Sequence, residues 1–425
     1  MTGFRFFVIL VIFGAATAAW AILGSTLEYR TANLSQSLGK EVDNDWGPSG
    51  LVQEPPTVLP PADGDGKPGG AGGVPVRSDI RVTFDHADRY KGLLWFSTYS
   101  VQFSGTYTVP SPAAAGGEFL FHLPENGPVP ENLRVAVGDA PLEVDPAATA
   151  VVVPVPTGGG EVAITVAYQM RGRDRWAYGP APGTERPVRL RDFSLTATTN
   201  FTDIDYPKGA VSPSTPAAPA DGGMTAVWKF DDYATRQQIG IEMPFRRNAG
   251  PIAARMAFYA PVSLFFFFTV MFTIVILKRI PLHPMHYLFV SAGFFAFHIL
   301  LAYLVDKIGI HEAFWICAAT SVVLVVSYMR LVAGARFAIL HVGLAQLVYL
   351  VGFSYAFFWV GWTGLTIVIV AILTLFILMQ ATGRLDWNQV FRSSGPSSPA
   401  GGGGTAWQPV SPAPAGEAPP KPPTA

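Results

Sequence analysis

Apolar positions are crowded into six runs, spaced very unevenly along the chain. One run opens the chain at Phe4, and five follow in tandem over 257–277, 285–305, 313–329, 337–357 and 359–380. Each of the five is about 20 residues, which at about 1.5 Å rise per residue matches a hydrocarbon core of about 30 Å. The roughly 230 residues between the first run and the second hold no stretch long enough to cross a bilayer. The pattern predicts a membrane protein with an N-terminal transmembrane anchor (1–24), a large extramembrane region and a C-terminal five-helix bundle (256–384), six transmembrane helices in all. A soluble core helix does not account for five such runs in succession.

The region between anchor and bundle changes character near Arg77. Residues 25–77 are polar, then rich in Pro and Gly, with Glu54-Pro55-Pro56, Pro60-Pro61 and many glycines from Gly64 to Gly73. They read as a short helical stalk, an ordered hook near Trp46 and a flexible linker. From Ser78 the period shortens to two. Phe193, Leu195, Ala197, Thr199 and Phe201 alternate with Ser194, Thr196, Thr198 and Asn200, and Val162, Ile164, Val166 and Tyr168 repeat the pattern. Further strands are expected over 98–109, 118–122, 133–137, 150–155 and 225–230, separated by Gly and Pro clusters. Many short strands divided by turn residues predict an antiparallel β-sandwich-type domain over 78–250, with two stacked sheets of unequal size. Residues 78–243 are expected to fold alone.

Basic residues set the orientation. Lys278 and Arg279 follow the second run, Arg330 and Arg336 lie between the fourth and fifth, and Arg384 and Arg392 follow the sixth. With six crossings all of these share a side with Arg5, so both termini are expected in the cytoplasm and the β domain in the periplasm. Arg246, Arg247 and Arg255 oppose this, but long translocated domains obey the rule weakly. Ala16-Thr17-Ala18 resembles a signal-peptide cleavage site. The apolar stretch continues through Leu23, however, which suits a retained anchor better.

Composition excludes several classes. Half the residues are hydrophobic, 14 % are charged and the formal net charge is −1, so there is no basic field for nucleic acid. The single cysteine, Cys317, rules out an intrachain disulfide. The tail 385–425 is rich in Pro, Gly, Ser and Ala and is expected to be disordered, with Pro419-Pro420-Lys421-Pro422-Pro423 able to form polyproline II.

Candidate chemistry is sparse. No phosphate-binding loop, nucleophile elbow or zinc-protease helix is present, because Trp315 stands where His311-Glu312 would need a second histidine. No catalytic, cofactor-binding or metal-binding residue is assigned, and the chain is not expected to be an enzyme. Asp306, His311 and Glu312 share one outer loop, readable as a divalent-ion site or, preferably, as a solvated helix-flanking loop. Asp203, Asp205, Asp231 and Asp232 offer carboxylates to Ca²⁺ or simply flank strands. Asn33 and Asn200 begin glycosylation-type triplets. Arg171, Arg173, Arg175, Trp176 and Tyr178 form a candidate ligand or partner surface if they crown a hairpin tip, with strand-flanking charges over core aromatics as the plainer reading. Inside the bundle, His298 lies mid-membrane, where an ionisable group needs a partner, and Gln346 is the expected polar partner. The pair reads as packing glue rather than a proton path, since no carboxylate lies at that depth.

Several short motifs carry a family resemblance. Trp46-Gly47-Pro48 is followed by Gln53 and a Pro pair, and Tyr90-Lys91-Gly92-Leu93 by Tyr99 and Gly105. Gly223-Met224-Thr225-Ala226-Val227-Trp228 and His283-Pro284-Met285-His286-Tyr287 come next, then Asp306-Lys307-Ile308-Gly309 and Leu385-Asp386-Trp387. In order and spacing these resemble the CreD family of bacterial inner-membrane proteins. The chain departs from that family in three places: Ala356-Phe357-Phe358-Trp359 replaces an expected acidic pair, and the 54–76 linker and the tail after Arg392 look like additions. The resemblance implies a multi-pass inner-membrane protein of envelope integrity and stress response, without an assigned reaction or cofactor. The leading expectation is a non-enzymatic protein whose β domain engages another envelope component, protein or glycan, while the bundle sits in the lipid bilayer. A transporter or lipid-handling protein and a periplasmic sensor are the alternatives.

Overall fold

The computed structural model describes residues 3–60, 72–111, 116–125, 127–145, 147–184, 187–220, 222–359 and 361–383. Arg384, Arg392, the Leu385-Asp386-Trp387 motif, the tail and most of the Pro/Gly linker lie outside the described residues.

Among the described residues, six helices are long and apolar enough to cross a membrane. Helix α1 spans Gly3–Asp45, α2 Ala249–Leu277, α3 Pro284–Leu304 and α4 Ile310–Ala333. Helix α5 spans Ala335–Phe358 and α6 Thr363–Thr382. Pro284 occupies the first turn of α3, where its missing N–H costs nothing, and His283 caps it by accepting from the Met285 amide at 3.3 Å. The anchor does not end at the membrane surface. Helix α1 is one unbroken rod of 43 residues, so the stalk read from sequence is a direct continuation of the span. At about 1.5 Å per residue it reaches far beyond a hydrocarbon core of about 30 Å.

Among the described residues, thirteen strands form the domain between α1 and α2. The main ones are β1 (Ser49–Gln53), β3 (Arg77–Lys91), β4 (Leu94–Pro110), β9 (Glu161–Tyr178), β10 (Val188–Thr199) and β12 (Gly223–Thr235). They are joined by β6 (Glu131–Val137), β7 (Ala140–Leu142), β11 (Thr215–Ala220) and β13 (Ile239–Glu242) in a ten-stranded sheet. A three-stranded sheet of β2 (Thr57–Leu59), β5 (Glu118–His122) and β8 (Ala150–Pro154) covers one part of it. Phe119, Phe121, Val151 and Val153 of the small sheet share a core with Phe103, Tyr107, Ile164 and Val166 of the large one. Two stacked sheets of unequal size are therefore present, but the pairing is mixed rather than antiparallel throughout. Strand β3 runs parallel to β10, and β1 parallel to β9.

The domain also begins earlier than the sequence suggested. Strands β1 and β2 fall inside the stretch read as hook and linker, yet Leu51 and Gln53 are fully buried. Gln53 donates to the carbonyls of Glu54 and His122, both at 2.8 Å, and accepts from the Tyr168 hydroxyl at 2.7 Å. A buried amide with all these partners joins the two sheets instead of disturbing the core.

Candidate functional site

The structure relocates the arginine-aromatic segment. Residues 171–178 are not a hairpin tip; they are the second half of β9, paired with β1, β4 and β13. Trp176 and Tyr178 are buried in the core. Arg173 donates to Asp43 of α1 at 2.9 Å, and Arg171 pairs with Glu131 at 2.6 Å. Arg175 stays exposed, its backbone carbonyl accepting from the Tyr99 hydroxyl at 2.7 Å. The run looked like a surface motif because arginine is usually exposed. Here strand alternation sends the aromatics inward and two of the three arginines to ion pairs.

Those arginines face a junction. At the end of α1, Trp46 lies under two guanidinium groups, Arg89 at 3.5 Å and Arg171 at 4.9 Å from the ring centre, a favourable arrangement for an indole. Its Nε1 donates to the Tyr99 carbonyl at 3.2 Å. Gly47 adopts φ +151° against the Arg171 carbonyl, where a side chain would collide. The Trp-Gly-Pro motif is thus the corner at which the rod turns into the sheet. Lys91, at the β3–β4 turn, pairs with Glu41 at 3.1 Å and Asp45 at 2.6 Å. Its hydrogen bonds to Asp45 and Glu41 hold the ammonium above its ordinary pKa.

The same hairpin is tied to the entry of α2. Asn248 accepts from the Trp95 amide at 2.7 Å, and the Ser97 hydroxyl donates to the Pro244 carbonyl at 2.8 Å. His86 lies 3.2 Å from that hydroxyl. Burial lowers the His86 pKa, against opposing attraction from Asp88 and Asp85. The unfolded chain therefore takes up the proton first as pH falls. Stability from this group is complete above about pH 6.5 and declines below it. Urea midpoints should fall between about pH 6.5 and 5 in the natural protein, and more shallowly in His86→Gln. Equal slopes would show that His86 does not couple to folding.

At the membrane end, Arg30 of α1 pairs with Asp306, just beyond α3, at 3.0 Å and donates to the Ala302 carbonyl at 3.3 Å. Asp306 is therefore engaged by a cation, while the His311 ring lies 4.5 Å from that of Phe358. Of the other carboxylate candidates, Asp232 pairs with Arg189, and Asp205 accepts from the Tyr206 amide. No group of three metal-ligating side chains exists among the described residues. Asn200 ties its strand to β3, donating to Asp85 at 2.8 Å and accepting from the His86 amide at 2.9 Å.

Within the bundle, His298 and Gln346 are both buried, but no hydrogen bond joins them. His298 Nδ1 lies 2.9 Å from the Phe294 carbonyl of its own helix. A carbonyl only accepts, so Nδ1 carries the proton and Nε2 faces away as an acceptor. The ring packs edge-on against Trp20 of α1, with centroids 5.6 Å apart. Gln346 instead donates to Ser321 at 3.0 Å, and Ser321 to the Gly293 carbonyl at 2.7 Å. A second chain runs from Ser263, which donates to the Tyr349 carbonyl, while the Tyr349 hydroxyl lies 2.8 Å from Thr374. Both chains meet on α5, which contains π-helical turns at Ala338–Gly343 and Leu347–Gly352. Such turns loosen the backbone ladder, and side chains from neighbouring helices compensate. Sequence reading missed Ser263, Ser321, Tyr349 and Thr374. Small polar residues within an apolar run were the available signal.

For His298 the expected result is conservative. His298→Gln should leave folded protein and growth phenotype intact, and His298→Leu should lose no more than about 0.5–1.5 kcal/mol of stability in detergent melts, the worth of its one bond to the Phe294 carbonyl. Loss of phenotype in the Gln variant at an unchanged protein level would instead assign the ring a working role.

Residues 228–388 match the family model described as inner membrane protein CreD. The match covers the end of the β domain and the bundle, including the His283–Tyr287, Asp306–Gly309 and Leu385–Trp387 motifs. The motifs at Trp46 and Tyr90 lie outside it. No curated protein matches the chain. A Legionella pneumophila protein, provisionally assigned as nutrient-binding, is similar over 52 % of this chain and 76 % of its own, at 10 % identity and a TM-score of 0.28. At that score it carries no argument about fold or role.

Proposed function

We propose that this inner-membrane protein supports envelope integrity without catalysing a reaction. Its β domain lies in the periplasm and engages another envelope component, a protein or a glycan. The bundle fixes that domain in the bilayer. The observation that carries this reading is α1: a single rod, pinned to α3 by Arg30–Asp306 and to the β domain by Arg173–Asp43, Lys91 and Trp46. Such a rod sets the height and attitude of the domain above the membrane, which is what a presenting scaffold requires. Lys278, Arg279, Arg330 and Arg336 favour the N-terminal side as cytoplasmic.

A transport role has one observation in its favour. Trp20 Nε1, His298 Nε2 and Gln346 Oε1 are buried without partners among the described residues. Against it, no Asp, Glu, Lys or Arg is buried among the described residues, and charge-moving pathways are built from such groups.

Two measurements test the proposal. Reporter fusions after Asp306 and after Arg336 should read as periplasmic and cytoplasmic respectively; both reading as cytoplasmic would overturn the topology. A photo-crosslinking residue at Val129, exposed beside a cleft of about 560 Å³ lined by Pro124, Pro128 and Met170, should capture a discrete envelope partner in cells. Captures limited to lipid, from this and other exposed β-domain positions, would sink the scaffold reading.

A further inference from the structure

Helix α1 packs against α2 unevenly. Near Trp20 the contact with the bundle is close, but toward the N-terminus the two helices part around a crevice of about 260 Å³. Its walls are almost wholly apolar and unusually aromatic: Phe6 and Phe13 from α1, with Phe265, Phe268 and Phe272 from α2. Phe6 and Leu10 remain more than half exposed, so the crevice opens sideways to where lipid would lie.

Three features distinguish it from an ordinary lipid-facing surface. Tyr287 of α3 lines it, is 96 % buried, and has a hydroxyl with no hydrogen-bond partner among the described residues. A buried hydroxyl without a partner is costly, and an acceptor would relieve it. Tyr287 lies only three residues from the start of α3, which places it just inside the hydrocarbon boundary, the depth of acyl ester carbonyls. Toward the same end of the two helices, Arg5 immediately precedes the lining residue Phe6, and Lys278 and Arg279 follow the end of α2. All three are exposed and none forms an ion pair among the described residues.

We propose that this crevice binds one anionic diacyl phospholipid from the leaflet on the N-terminal side. An acyl chain lies among the phenylalanines, an ester carbonyl accepts from the Tyr287 hydroxyl, and the phosphate meets Arg5, Lys278 and Arg279. Apolar fit, one hydrogen bond and charge complementarity then act at three successive depths of the same lipid. A carbonyl suits Tyr287 better than a purely hydrocarbon guest, which would leave the hydroxyl unpaired. The inference goes beyond the scaffold role and stands whether or not the β domain has a partner.

The test uses the full-length protein in vesicles of phosphatidylcholine carrying a photoactivatable phosphatidylglycerol, with label sites mapped by mass spectrometry. Label should concentrate on the α1 and α2 crevice residues at least fivefold over α6, whose surface is the most lipid-exposed of the C-terminal helices. Filling the crevice with Thr269→Trp should remove that excess while leaving α6 labelling unchanged. Tyr287→Phe should weaken capture of the ester lipid severalfold and leave an ether-linked analogue, which has no carbonyl, unaffected. Arg5→Gln with Lys278→Gln should abolish the preference for phosphatidylglycerol over a photoactivatable phosphatidylcholine. Label spread evenly over α6 and the crevice, or insensitive to Thr269→Trp, would overturn the site. Stronger capture of a polyisoprenyl phosphate than of phosphatidylglycerol would overturn its assignment to a diacyl lipid.

Discussion

A fragment spanning residues 49–243 should unfold in one cooperative step, whereas one spanning 78–243 should not hold a stable fold. The difference rests on β1 and β2. Without them the core loses Leu51, worth about 2–5 kcal/mol as a buried leucine. The Tyr168 hydroxyl and the His122 carbonyl also lose their Gln53 partners, at about 1–3 kcal/mol for each buried group left unsatisfied. The far half of β9 loses its parallel neighbour, and β5 loses β2. Together these losses approach the whole stability of an ordinary domain, about 5–15 kcal/mol. Far-UV circular dichroism and urea titration of the two fragments decide the matter. Equal midpoints would mean that β1 and β2 decorate the domain without completing it.

Trp228→Ala in the longer fragment should cost about 3–5 kcal/mol through the cavity it leaves. The indole is fully buried, packs edge-on to Tyr206 with centroids 6.2 Å apart, and donates from Nε1 to the Val211 carbonyl at 2.8 Å. The Val211 carbonyl would lose this partner, which adds to the loss. Trp228→Phe fills more of the space and should fall between the alanine variant and the natural protein. Val129→Ala is the contrast: that side chain is 64 % exposed and its loss should stay within about 0.5 kcal/mol. The measurement is the shift in urea midpoint at constant m-value. A Trp228→Ala loss below about 1 kcal/mol would mean that the core closes over the missing ring.

Both expectations concern residues the sequence marked differently. Trp228 lies inside a period-two strand, so its burial was legible from alternation alone. Leu51 and Gln53 sit among prolines and glycines, where local composition reads as linker. Only their long-range partners, β9 more than a hundred residues away, make the segment a strand. Strand propensity depends strongly on what lies alongside, and the neighbour is not visible in a local window.

The helical part divides in the same way. Length, apolarity and the charges at their ends located all six crossings, because a bilayer imposes its thickness on any chain that spans it. Rotation of each helix about its axis was not determined, so His298 and Gln346, both expected near mid-membrane, were expected to meet and do not. Their contacts are Trp20 and Ser321, chosen by packing at angles that apolar periodicity encodes poorly when a helix is hydrophobic all round. The arginines of β9 repeat the lesson on a strand. Alternation sorted them from their aromatics, but their acidic partners on α1 and β6 come from distant segments.

By itself, then, the sequence determined the number and position of the membrane crossings, the β character of the domain between them and the absence of recognisable catalytic motifs. These follow from local rules: the hydrocarbon thickness, the period of a strand, and the fixed spacing that motif chemistry demands. Tertiary structure alone decided where the β domain begins, which strands run parallel, and that the anchor and stalk are one rod fastened to the bundle at Arg30 and to the β domain at its C-terminal end. It alone also left Tyr287 unpaired beside an aromatic crevice. Each of these depends on contacts between residues far apart in the chain, whose energies are set by three-dimensional proximity and are invisible to any local pattern.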